Sequence, residues 1–401
     1  MNKPNTHTAS FLSSFLSSPR QRLITLKRVL LLSFLIGIAI SWRLWLDSFR
    51  TFPHFPAISG MPALSMGWDF LAFGFLMLSV VLAWWKPFDR RFNGMLLGLL
   101  VLYGLQDQLR WQPWCYQYVL MLLPFTLLSQ KPTDDEIHYS LNIARIILIG
   151  VYVWGGINKF QPGFFSVYEN SLMKPILMAL DNSYFRYGVL KFVYCIPVIE
   201  LGMGLGLLFR KTRWISIVLA CLTHVYILVI LGPIKGGSNI VVIPWNFMMI
   251  ASVVLLFLQI DFLKIFPIRL IRLRLVSYFC MFLVGVMPLF YYTGHWDRYL
   301  AFHLYSGRQK RLYIMIDKAY KSYLPDTYRT HLQDNGETYV LQPAFWAYKE
   351  LGVPLLTEDR IFKAFSQKLC TYNIPEEALL FYMDYKHIYK EKHVFLRCRD
   401  L

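Results

Sequence analysis

The sequence is poor in charge, and its cysteines lack the spacing of a metal site. Only 16% of the residues are charged, against roughly a quarter in an average soluble domain. The six cysteines form no CxxC pair and no zinc-type pattern, so the sequence predicts no metal ion. It also has no internal repeat, which disfavours a transporter built from two matched halves.

Apolar residues are abundant instead, at 56% of the chain, and aromatic residues make up 17%. A soluble fold of this size has no way to bury that much apolar surface, whereas a lipid bilayer accepts it. The aromatic content fits belts of Trp and Tyr at the two membrane interfaces. The sequence therefore predicts an all-α polytopic bundle embedded in a membrane.

The number of spans follows from the apolar runs, because one span needs about 20 mostly apolar residues. About nine runs qualify, and the third and fourth are short and separated by Pro113. These two fit either two spans or one re-entrant hairpin. The runs lie at 27–46, 67–85, 94–111, 113–129, 141–159, 187–209, 214–232, 241–258 and 275–293.

Basic residues cluster beside the predicted spans, which explains much of the net charge of +17 without a nucleic-acid partner. With nine spans, all four clusters fall on one face, as the positive-inside rule requires. We therefore expect a multi-pass membrane protein with a cytoplasmic N-terminus and an extracytoplasmic C-terminus. The clusters lie at 20–28, 86–91, 210–213 and 264–274.

The predicted organisation has three parts: a polar cytoplasmic N-terminus at 1–26, the bundle at 27–295 and an extracytoplasmic segment at 296–401. We call this last part the tail. Its charged, aromatic and turn residues alternate, which is typical of a small α+β unit. The expected strands are 311–316 and 338–341, and the expected helices are 343–351, 357–369 and 375–387.

Two cysteines lie in the tail, Cys370 and Cys398. In an oxidising compartment they would form one disulfide. The sequence alone leaves open whether they are bonded.

Ionisable side chains inside apolar spans are costly and usually face the protein interior. Lys159, Glu200 and His224 are therefore the candidate catalytic residues. The candidate ligand-binding residues are Asp107, Arg110, Asn158, Asn239 and Asn246.

Each catalytic candidate also has an ordinary structural interpretation. Lys159 closes its span, so it either extends to the interface or acts as a desolvated general base. Glu200 lies in mid-span and needs either a partner or a proton. His224 is either a hydrogen-bonded core residue or a proton-transfer group.

The ligand-binding candidates come from three places, and one of them is the segment in which Asn158 directly precedes Lys159. Asp107 and Arg110 are three residues apart, so on a helix they would share a face and pair. That pair is either structural or part of a cavity wall. Asn239 ends a Gly-Pro segment, 232–239, that enters a span, and irregular backbone at membrane depth is tolerated where it lines a cavity.

The order of these motifs resembles a known family. Gly-Gly-Ile-Asn-Lys-Phe at 155–160 is followed by Arg-Lys-Thr-Arg at 210–213, His224 and Pro-Trp-Asn at 244–246. This order resembles the horizontally transferred transmembrane domain family, whose best-known members are the vitamin K-dependent γ-glutamyl carboxylases. Gln-Pro-Trp-Cys-Tyr-Gln at 112–117 is similar to bacterial members, and this resemblance implies a location in a bacterial inner (cytoplasmic) membrane. The likeness extends over roughly residues 25–310.

The resemblance implies a fold and a cavity more than a reaction. In the carboxylases, a lysine at the place of Lys159 deprotonates reduced vitamin K, and the active site faces the lumen. The chain here is much shorter than an animal carboxylase. Its tail is too small for the lumenal domains of those enzymes, so we do not expect carboxylation of glutamate.

Two hypotheses result. In the first, an outward-facing polar cavity binds a hydrophobic small molecule, a quinone or another lipid, and carries out proton-transfer or redox chemistry. Lys159 is then the base, and His224 and Asn239 orient the ligand. In the alternative, the protein is a non-enzymatic membrane scaffold or the subunit of an assembly with a membrane protein partner. Its polar residues then hold helices together.

Overall fold

The computed structural model describes residues 18–58, 60–167, 178, 183–231, 239–259, 270–307, 309–385 and 393–401. Most of the described residues before the tail are helical. The described helices are α1 Pro19–Ile40, α2 Trp42–Trp45, α3 Met66–Trp85, α4 Arg90–Gln106, α5 Pro113–Leu122, α6 Asp134–Ile157, α7 Pro162–Val167, α8 Ser183–Val193, α9 Ile196–Gly206, α10 Arg213–Leu231, α11 Val242–Phe257, α12 Ile271–Met281, α13 Asp326–Arg329, α14 Pro343–Leu351 and α15 Asp359–Leu369.

Within these described residues, five helical segments are long and apolar enough to cross a membrane. They are α1, α3, α6, α10, and α12 together with its continuation as π and 3-10 turns to Thr293. Helix α11 is apolar but shorter. The composition and length of these helices indicate a membrane-embedded protein.

Two of the predicted spans have a different form. The run 187–209 is not one helix, because α8 and α9 are separated by a turn at Tyr194 and Cys195. Pro197 lies in the first turn of α9 and has no N–H with which to continue the hydrogen bonding of α8. The run 113–129 contains α5, whose ten residues are all buried. At 1.5 Å per residue α5 is about 15 Å long, roughly half a hydrocarbon core.

Helix α6 is the central helix and packs against α1, α9, α11 and α12. Its start is set by a capping box, in which Thr133 and Glu136 each accept a hydrogen bond from the backbone N–H of the other. Three acidic residues in the first turn add a favourable interaction with the helix dipole. The helix therefore begins at Asp134, earlier than the apolar run alone predicts.

Helices α6 and α9 cross very closely, and two glycines allow it. A Cβ atom on Gly156 would lie 2.5 Å from the backbone nitrogen of Leu201, and one on Gly204 would lie 2.8 Å from Cγ2 of Val153. Since such distances are sterically forbidden, any larger residue would push the two helices apart. The crossing places the end of α6 beside the middle of α9.

The tail contains an antiparallel five-stranded sheet of order β2-β3-β1-β4-β5. The strands are β1 Arg311–Asp317, β2 Leu332–Asp334, β3 Thr338–Leu341, β4 Leu379–Asp384 and β5 His393–Leu396. The strands predicted at 311–316 and 338–341 and the helices predicted at 343–351 and 357–369 are present. The helix predicted at 375–387 is wrong, because a 3-10 turn and β4 occupy its described part.

A disulfide joins Cys370, directly after α15, to Cys398. It closes a loop of the chain that contains β4, the strand next to the centre of the sheet. The covalent link therefore fixes the C-terminal end of the chain to the helical side of the tail.

The tail packs directly on the bundle through the segment that follows α2. Glu350 of α14 accepts hydrogen bonds from the backbone nitrogens of Thr51 and Phe52. The ring of Phe52 lies 5.1 Å from that of Trp346, edge to face. These contacts make the tail and the bundle one packed unit.

Candidate functional site

A buried ion pair forms where α6 ends beside α9. Lys159 Nζ lies 2.6 Å from Glu200 Oε2, and the two side chains are only 9% and 14% exposed. Lys159 Nζ also donates to the carbonyl oxygen of Gly155, at 3.1 Å. Both sequence-predicted residues are thus brought together, and each supplies the partner that burial of the other requires.

Two cavities meet at this ion pair. One is a small chamber of about 80 Å³, and the other is a larger cavity of about 650 Å³. The walls of both include Lys159, Glu200, Thr223, Ile227 and Tyr305.

The larger cavity is bounded by α8, α9 and α10, and its walls are mostly aliphatic and aromatic. Several of its residues, including Tyr184, Phe185 and Leu222, are exposed on the outer surface of the bundle. The cavity therefore lies between helices and is bordered by residues at the surface of the bundle. A volume of this size matches the pockets that hold medium-sized organic molecules.

His224 lies in the wall of the small chamber and is held at both ring nitrogens. Nε2 lies 2.8 Å from the hydroxyl of Tyr152, and Nδ1 lies 2.7 Å from Oδ1 of Asn246. Asn246 Nδ2 donates to the Val242 carbonyl, so its Oδ1 accepts the hydrogen of Nδ1. In that arrangement the neutral ring accepts the Tyr152 hydroxyl hydrogen at Nε2, and His224 fixes the positions of Tyr152 and Asn246.

A loop that follows α12 completes both cavities. Tyr305 has a φ of 49° and Phe302 a φ of 53°, a conformation that is strained for residues other than glycine. Such backbone persists only where the surrounding packing holds it, and Phe302 is fully buried. The loop is therefore firmly seated in the bundle.

Asn239 and Asn158 hold this loop in place. Asn239 Nδ2 donates to the Tyr305 hydroxyl at 2.8 Å. Burial raises the pKa of Tyr305 above its usual range, so the hydroxyl keeps its hydrogen and is a donor at the cavity wall. Asn158 donates to the carbonyl of Ala301 at 2.9 Å and accepts from the hydroxyl of Tyr292 at 2.8 Å. Neither asparagine is among the described residues that line the two cavities.

Asp107 and Arg110 do not pair with each other, contrary to the sequence prediction. Helix α4 ends at Gln106, so the two residues are not on one helical face. Asp107 instead pairs with Arg50, and Arg110 Nη2 lies 2.7 Å from Asp47. They form a buried network under the tail and line neither cavity.

The sequence analysis missed Tyr152 and Tyr305. Tyr152 could have been found, because it lies seven residues before Lys159 with Gly155 between them, which is one face of a helix. Tyr305 had no sequence signal, since it lies outside every predicted span.

Among the described residues, no group of three or more His, Cys, Asp or Glu side chains is placed to hold a metal ion. Comparisons of the chain with family models, with curated proteins and with solved structures found no match. The fold and the site therefore define a class only: a helical, membrane-embedded protein with a buried lysine–glutamate pair between two cavities.

Proposed function

We propose that the protein binds an amphipathic lipid, such as a quinone, in the larger cavity and transfers a proton to or from its polar head. The observation that carries this proposal is the position of the Lys159–Glu200 pair, at the junction of an apolar cavity and a smaller chamber. The resemblance to the carboxylase-like transmembrane family agrees with this chemistry.

The cavity favours a ligand with one polar end. Its described walls are mostly apolar, and Lys159, Glu200 and Tyr305 lie where the cavity meets the small chamber. A long hydrophobic body gains free energy by lying against the aliphatic and aromatic side chains, at about 25 cal/mol per Å². An oxygen-bearing head placed at the inner end then meets an ammonium group and a tyrosine hydroxyl, which are both hydrogen-bond donors.

The ion pair acts as one unit in the proposed step. The Glu200 carboxylate holds Lys159 as an ammonium group. For Lys159 to act as the general base considered in the sequence analysis, its proton must first pass to Glu200. A hydroxyl group of the ligand, which for a quinone is present only in its reduced form, loses its proton to the pair, with the proton ending on the carboxylate. The ammonium group then stabilises the oxyanion that is left.

We place the site on the outer side of a bacterial inner membrane. The basic clusters of the sequence favour a cytoplasmic N-terminus, and the tail would then lie outside. Lys159 lies just after the C-terminal end of α6. At the same end, Asn158 binds the first part of the tail through the carbonyl of Ala301. The ligand would thus enter sideways from the outer leaflet.

The test is native mass spectrometry, with lipid extraction, on the protein purified in mild detergent. We expect one stoichiometric quinone or lipid on the wild type. It should be lost from Lys159→Ala and from Glu200→Gln, and kept by Lys191→Ala. Lys191 is a suitable control because it is an exposed lysine on α8 that does not line the cavity.

An empty wild-type bundle with a stoichiometric protein partner would reject this function. The polar residues would then serve as contacts between helices, and the scaffold hypothesis would replace the enzyme.

A further inference from the structure

Three arginines from three helices converge at the end of the bundle opposite the tail. They are Arg22 of α1, Arg145 of α6 and Arg213 of α10, which are 5%, 3% and 7% exposed. Arg145 is close enough to both others for the charges to interact. We call this group the arginine cluster.

Two of these arginines are held at the C-terminal end of one helix, by carbonyls in its last turn and just after it. Arg22 Nη1 donates to the carbonyl of Gln259 at 2.6 Å, and Arg145 Nε donates to that of Leu256 at 2.8 Å. These carbonyls are three residues apart at the C-terminal end of α11. Because α11 has only 16 residues, its end lies inside the bundle and draws both guanidinium groups inward.

The third arginine is placed in the same way on another helix. Arg213 Nε donates to the carbonyl of Leu207, directly after α9, at 3.3 Å. Helix C-termini carry a partial negative charge that attracts cations. That attraction is small beside the free-energy cost of burying an ion.

The described residues provide no carboxylate for the arginine cluster. None of its members forms an ion pair with Asp or Glu in the part of the chain that the structure describes. Among the described residues, the one side-chain acceptor is Oδ1 of Asn142, which bonds to Arg145. Arg22 Nε is buried and has no hydrogen-bond partner in the described part of the chain.

Lys27 shows how a buried cation at the same end is otherwise satisfied. Its ammonium group donates to the Pro87 carbonyl and to Asn93, and it lies 4.9 Å from the centre of the Phe125 ring. Among the described residues, the arginine cluster has fewer acceptors for each charge than Lys27 has. A bound anion would supply further acceptors.

We propose that the arginine cluster binds a phosphate group, carried by an anionic phospholipid or present as free phosphate. Guanidinium groups bind phosphate oxygens through paired, charge-assisted hydrogen bonds, and several of them share one phosphate readily. Buried basic pockets between membrane helices are suited to phospholipid head groups. Arg145 is about 20 Å along α6 from Lys159, so this site is separate from the larger cavity.

The experiment measures binding to the full chain in mild detergent by native mass spectrometry. Phosphatidylglycerol and inorganic phosphate are titrated separately. We expect one bound phosphate group on the wild type. Affinity should fall at least about tenfold in Arg22→Gln, since a charge-assisted hydrogen bond is lost, and remain unchanged in Arg91→Gln. Arg91→Gln is the matched control, because Arg91 is exposed and its substitution removes the same charge at the same end of the bundle.

The two probes distinguish the sources of the phosphate. Binding of phosphatidylglycerol that inorganic phosphate does not displace identifies a lipid site. Binding of inorganic phosphate alone identifies a site for the free ion. Arg145→Lys keeps the charge but loses the paired donors of the guanidinium group, so we expect it to bind phosphate more weakly. This conservative variant provides the test if Arg145→Gln does not fold. Equal binding by the wild type, Arg22→Gln and Arg145→Lys, or no binding of either probe, would overturn the proposal.

Discussion

Lys159 and Glu200 form an ion pair of 2.6 Å that joins the end of α6 to the middle of α9. The pair is buried, and the two helices approach so closely that Gly156 touches the backbone at Leu201. Each charge is therefore compensated almost entirely by the other. Removing one charge differs physically from removing both.

The first prediction uses that difference. Lys159→Met or Glu200→Gln leaves one uncompensated buried charge and should lower the free energy of unfolding by about 3–5 kcal/mol. The double variant should recover most of this loss and still fail to bind ligand. Thermal unfolding in detergent and lipid retention are the two measurements. Single variants as stable as the wild type would show that the pair is solvated.

The second prediction concerns the Tyr305 hydroxyl at the junction of the cavities. Tyr305→Phe keeps the ring in the wall but removes one hydrogen bond, worth about 1 kcal/mol. Ligand affinity should fall roughly fivefold to tenfold, and the melting temperature should also fall, because the Asn239 amide loses the acceptor through which it holds the loop. Tyr313→Phe, a half-buried tyrosine on the tail sheet, is the control. An unchanged affinity would exclude a contact between Tyr305 and the ligand.

The third prediction concerns the disulfide of the tail. Cys370 and Cys398 are separated by 28 residues, and closing a loop of that length stabilises a fold by about 3.5 kcal/mol. Cys370→Ser should therefore make the tail markedly more sensitive to limited proteolysis. Cys195→Ser changes an exposed free cysteine and should have no such effect. Equal cleavage of both variants would count against a stabilising bond.

The fourth prediction is a pH dependence that originates at His54, in the segment after α2. Burial, followed by the charge of Arg50, lowers the pKa of His54 to about 4, and this outweighs the attraction of Asp47. The unfolded chain binds the proton more readily, so folding is favoured above pH 6.5 and this contribution is lost as the pH falls toward 4.

The loss in the free energy of unfolding follows from the shift in the pKa of His54, at about 1.4 kcal/mol per pKa unit. The melting temperature of the wild type should drop between pH 6.5 and 4, and His54→Gln should reduce that drop. The measurement is the difference between the two curves, since other groups titrate equally in both proteins. Parallel curves would show that His54 is accessible to water.

Much of the tail could be predicted because its patterns are local. A helix from Pro343 to Leu351 begins with proline and ends before Gly352, which has a φ of 69°, and both are ordinary helix signals. The prediction of a helix at 375–387 fails for a local reason too. Leu379, Phe381 and Met383 alternate with less buried residues, and this period of two indicates a strand.

The ion-pair network of the bundle could not be predicted, because its partners are distant in sequence. Asp107 lies 57 residues from Arg50, its partner. Sequence spacing favours pairs three or four residues apart on a helix, but α4 ends one residue before Asp107. The Lys159–Glu200 pair bridges 41 residues; the sequence predicted both residues but not their contact.

The same limit explains the cavities. Their apolar walls come from helices that a hydropathy pattern detects, yet the breaks that shape them do not show in hydropathy. The turn at Tyr194 and Cys195 divides an apolar run without a change in composition. Only the fold shows that α8 and α9 enclose space between them.

The loop around Tyr305 has a consequence for biogenesis. All helices of the described bundle precede this loop in the chain, yet Tyr305 lines both cavities, and Phe302 lines the small chamber with its ring 5.7 Å from that of Tyr116. During synthesis the helices can therefore form before either cavity is complete. The cavities close only when the loop has been made and has folded back, so a product truncated before the loop would contain the helices and lack a wall of both cavities.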